Sequence, residues 1–93
     1  MYDKELKIIY DPKADSHYVI MGRKHSIILQ HGILEDLSRT PLEGFRGKLN
    51  AVNSDADYIL RRESLSYERL WWAIVQARFF ELDQELRECR KTL

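Results

Sequence analysis

The sequence predicts an α+β fold, a small three-stranded antiparallel meander followed by a C-terminal helical hairpin. Three observations carry this. Short β-branched and aromatic runs separated by turn residues fill the first third, helix-start signals cluster at Thr40-Pro41-Leu42-Glu43, and beyond them apolar residues recur at steps of three and four. No internal repeat, low-complexity tract or linker divides the chain. Residues 1–93 therefore read as one domain, with the meander in 1–32, a first helix over 40–62 and a longer second helix over 66–93.

The first strand is expected at Leu6-Lys7-Ile8-Ile9-Tyr10, followed by Asp11-Pro12-Lys13-Ala14, with Asp and Pro at the opening positions of a type I turn. His17-Tyr18-Val19-Ile20-Met21 forms the second, leading into Gly22-Arg23-Lys24. Ser26-Ile27-Ile28-Leu29-Gln30 forms the third and closes at His31-Gly32. Such short connections favour antiparallel neighbours. Apolar residues fall on both faces, so the sheet is expected to be covered.

Ile33-Leu34-Glu35-Asp36-Leu37 reads as a short helical turn. Thr40 as N-cap, Pro41 at the first helical position and Glu43 at the third then start the first helix. Phe45, Leu49, Val52, Ala56 and Ile59 form its apolar stripe as far as Arg62. Gly44 and Gly47 lie inside that stripe's helix, where each costs about 1 kcal/mol relative to Ala; close approach of another backbone is the expected reason for them. Ser66 caps the second helix, with Glu68 in its first turn. Along that helix Trp72, Val75, Phe79, Leu82, Leu86, Cys89 and Leu93 form a seam like that of a short coiled coil. Leu70, Trp71, Ile74 and Ala77 widen its first half. Trp72 in the core with Trp71 at the helix shoulder is one reading, but adjacent helical residues point about 100° apart, so burying both needs the sheet and the first helix together, or else a second subunit or a partner.

A chain of 93 residues buries roughly 60–65% of the surface its unfolded form exposes, which leaves little room for a deep cleft. Fifteen Lys and Arg balance fifteen Asp and Glu, so no net field favours nucleic acid or an anionic membrane. The doublets Arg23-Lys24 and Arg61-Arg62, with Tyr18, Tyr58 or Trp71 beside them, would serve a nucleic-acid-binding regulator only if the fold gathered them on one face. The single cysteine forms no internal disulfide, and Met1-Tyr2-Asp3-Lys4-Glu5 is charged where a signal peptide carries its apolar core. No apolar run approaches a membrane span. A cytoplasmic location is the expectation.

Gly44-Phe45-Arg46-Gly47-Lys48 lacks the earlier Gly and the following Ser or Thr of a phosphate loop. A helix N-terminus with Arg39, Arg46 and Lys48 nearby leaves an anion site as the small-ligand or nucleotide reading, although Glu43 competes for the same donors. His17, His25, His31 and Cys89 match no compact zinc spacing, and the strand histidines His17 and His25 are expected to be exposed. Asp55 and Asp57 lie two apart on a helix and do not face each other. No catalytic residue, metal or cofactor is therefore assigned.

The stretch "TPLEGFRGKLN", through its Pro41, Gly44-Phe45-Arg46 and Leu49-Asn50, together with "IVQARFFELDQEL", resembles the opening helices of cobalamin adenosyltransferases. That resemblance covers the second half of the chain and implies nucleotide binding. It departs where the family carries an acidic pair before Leu-Asn, because Gly47-Lys48 stands there.

The reading that accounts for most residues is a non-enzymatic interaction or regulatory module. It is expected to self-associate, as a homodimer, through Trp71, Trp72, Val75, Phe79, Leu82, Leu86 and Leu93, with a further protein partner possible on the same terms.

Overall fold

The computed structural model describes the backbone of residues 6–91 and the side chains of residues 6–79. Strands β1 (Leu6–Asp11), β2 (Ser16–Met21) and β3 (His25–Gln30) form an antiparallel sheet in the order β1-β2-β3. Helices α1 (His31–Ser38), α2 (Leu42–Val52), α3 (Ala56–Arg62) and α4 (Tyr67–Lys91) follow. The α+β fold with its leading meander is thus observed.

Turn chemistry shapes both hairpins. At the first, the Asp11 carboxylate accepts the Lys13 N–H at 3.0 Å, and Asp15 turns the chain back with φ of 50°. At the second, Gly22 takes φ of 74°, where a side chain would be strained, and a Cβ there would run into the Glu63 carboxylate.

The register aligns Tyr10, His17 and Leu29, then Ile8, Val19 and Ile27, then Leu6, Met21 and His25 as rows facing the helices. Val19, Met21, Ile27 and Leu29 are buried there against Leu34 and Leu37 of α1, Phe45 and Leu49 of α2, and Leu70 and Ile74 of α4. Among the described residues, only this face is covered. On the other, Ile9, Tyr18 and Ile28 stand opposite one another across the strands and are 50%, 37% and 57% exposed.

Three expectations about the helices need correction. The helix expected over 40–62 is two, α2 and α3, separated at residues 53–55. The Asn53 side chain accepts the Asp55 N–H at 3.0 Å and its carbonyl accepts the Ala56 N–H at 3.2 Å, a local turn that outcompetes helix continuation. Val52, at the end of α2, is left exposed. Thr40 does not cap α2. Pro41 holds that position with no side-chain cap, while the Thr40 hydroxyl donates to the Asp36 carbonyl at 2.8 Å and closes the end of α1. His31 and Gly32 begin α1 instead of closing the sheet. Ser66 behaves as expected, its hydroxyl accepting the Arg69 N–H at 3.1 Å at the head of α4. Among the described residues no helix is long and apolar enough to cross a membrane.

Candidate functional site

At 25 residues, roughly 37 Å at the helical rise, α4 is long for a molecule measuring 47 × 27 × 27 Å. Its start is anchored. Leu70 and Ile74 are fully buried, and the half-buried Trp71 donates its indole N–H to the Thr40 carbonyl at 2.7 Å. A buried indole needs such an acceptor, and the turn between α1 and α2 supplies it.

The opposite side of the helix is not covered in this way. Trp72 is 54% exposed and Phe79 is 62% exposed, with half-buried Val75 between them. Trp72 is therefore not core, because Leu70 and Ile74, the side chains docked on the body, lie about 160° round the helix from it. Trp71 and Trp72 stand 5.8 Å apart, ring to ring, at 38°. Together with Leu6, Glu68, Arg69 and Ala73 they border an open groove of about 580 Å³. Leu82, Leu86 and Cys89 lie beyond the side chains described, and Leu93 outside the described residues.

The three basic residues considered for an anion go to different places. Arg46 lies 3.6 Å from Asp57 and its guanidinium sits over the Tyr67 ring at 5.2 Å. Arg39 is 4.0 Å from Glu35 at the end of α1. Lys48 is exposed two positions beyond Arg46, which on a helix directs it about 160° away. Asp57, rather than standing ready for acid–base work, also binds Arg61 at 3.0 Å and accepts the Tyr67 hydroxyl at 2.8 Å. Asn50 donates to that hydroxyl at 2.9 Å. Burial, with Asp57 assisting, pushes the Tyr67 phenol up from its ordinary value.

The strand histidines differ from expectation. His17 is buried, 2% exposed, and one of its nitrogens lies 3.1 Å from a nitrogen of His31. Its place could have been read from parity, since it shares a strand face with Val19 and Met21. Its partner could not, because the sequence reads His31 as the close of the third strand, whereas the structure starts α1 there. His25 is half-buried and meets Glu63 at 2.6 Å, fastening the second hairpin to the segment before α4. Among the described residues no group of three or more His, Cys, Asp or Glu is placed to hold a metal ion.

Comparison with protein-family models, with curated proteins and with solved structures finds no match. The likeness to cobalamin adenosyltransferases therefore rests on the quoted residues alone.

Proposed function

We propose that this protein is a non-enzymatic interaction module that pairs with a second copy of itself through α4. The observation that carries the reading is the exposure of Trp72 and Phe79 on one stripe of a helix whose opposite side is already docked through Leu70 and Ile74. Two large aromatics two turns apart, with Val75 between them, are more apolar surface than a helix facing only water needs. The spacing of Leu82, Leu86 and Leu93 carries the same stripe along the sequence. A stripe that repeats at steps of three and four is complementary to its own copy, and a two-fold dimer is the commonest closed arrangement that uses it. Balanced charge gives no reason to prefer a strongly acidic or basic partner.

Sedimentation at tens of micromolar tests this. The wild-type protein should sediment as a dimer. Phe79→Glu should shift it to monomer with its circular dichroism unchanged, because the side chain is exposed and the core does not depend on it. A monomeric wild-type protein would end the proposal.

A further inference from the structure

We infer that His17 and His31 form a single-proton latch that fastens the start of α1 to the sheet and opens in acid. The facing nitrogens, Nε2 of His17 and Nδ1 of His31, are 3.1 Å apart while the ring centroids are 5.3 Å apart. The difference is about two ring radii, so the nitrogens point straight at each other along an N–H···N line. That geometry requires a hydrogen on one of them and a lone pair on the other. The pair can hold one extra proton with the bond intact, since an imidazolium still donates to a neutral partner. A second extra proton puts N–H on both facing nitrogens and breaks the bond.

The surroundings fit a device at this junction. His31 is the first residue of α1, and its backbone N–H donates to the Asp15 carbonyl at 3.0 Å, so side chain and main chain hold the helix start at one point. From β1, the Tyr10 ring packs on His17 at 5.0 Å and on His31 at 5.8 Å, and its hydroxyl donates to the Asp15 carboxylate at 2.7 Å. On α1, Glu35 lies 4.0 Å from Nε2 of His31. From α4, Arg78 reaches the other Glu35 oxygen at 2.6 Å, and Arg39 approaches the same oxygen at 4.0 Å. Across the sheet His17 faces Leu29, which carries no charge. A dicationic pair here would set one charge in a buried site and another at a helix N-terminus, where cations are disfavoured.

The unfolded chain takes two protons on these histidines and the latched form one. The ratio of folded to unfolded protein should therefore fall about tenfold more per pH unit below about pH 6 than it does without the pair. Urea titrations from pH 7.5 to 4.5 on the wild type and on the double variant His17→Gln, His31→Gln measure that difference. Equal slopes would overturn the inference. Should the double variant not fold, ring and amide NMR on the wild type decides. One shared protonation should leave the His31 amide protected, and the second should come only with loss of that protection. Two charged rings beside a still-protected His31 amide would overturn the latch.

Discussion

Gly47 shows what single residues contribute to this fold. It lies exposed in the middle of α2, and a Cβ built there meets nothing within 4 Å. Among the described residues the close backbone approach that would explain a helical glycine is therefore absent, as it is at Gly44, where the nearest contact for a Cβ is the Thr40 methyl at 3.6 Å. Gly47→Ala should accordingly raise stability by about 1 kcal/mol, through helix propensity alone. Urea denaturation measures it, and a loss of stability would reveal a constraint on this position outside the contacts described. Gly22 is the contrasting case, because its positive φ would strain a side chain and a Cβ there would displace the Glu63 carboxylate that meets His25. Single residues also mark where sequence reasoning stops. Trp72 and Ile74 are equally apolar in a helical pattern, and only the position of the body decides that one is exposed and the other buried.

At the scale of elements, the strands are the most legible because their signals are local: short β-branched and aromatic runs with turn residues between them. The break between α2 and α3 was masked by an apolar stripe that stays in step across it, with Phe45 and Leu49 on one side and Ala56 and Ile59 on the other, all buried. The Asn53-Ser54-Asp55 turn was the available signal. Thr40 misled for a related reason, since a hydroxyl between two helices can serve the end of one or the start of the next. What holds the broken helices together is the polar cluster around Tyr67, whose hydroxyl joins Asn50 of α2 to Asp57 of α3. Tyr67→Phe should cost about 1–2 kcal/mol near neutral pH by removing both bonds. The phenol's pKa is raised on folding, so its stabilising contribution is full below about pH 10, where the unfolded tyrosine titrates, and is lost as pH rises through the higher folded value. The wild type should thus lose stability in alkali faster than Tyr67→Phe, and parallel denaturation series between pH 8 and 11 check the sign.

For the whole molecule, α4 is the element on which fold and proposed function meet. Through Leu70, Trp71 and Ile74 it closes the core, and through Trp72 and Phe79 it presents the surface assigned to a second copy. Those two stripes are distinct, which makes association and folding separable by substitution. Linkage gives the consequence: a partner that binds only the folded chain raises its apparent stability with concentration. The melting temperature of the wild type should therefore rise as the protein is taken from about 1 to about 100 μM, a range in which mass action on a dimer contributes up to roughly 3 kcal/mol. Phe79→Glu should melt at one temperature throughout that range, close to the wild-type value at the lowest concentration, because the folded monomer keeps its core. A Phe79→Glu protein that melts well below the dilute wild type would place Phe79 in the fold's own packing, and with it the stripe that α4 is argued to offer its copy.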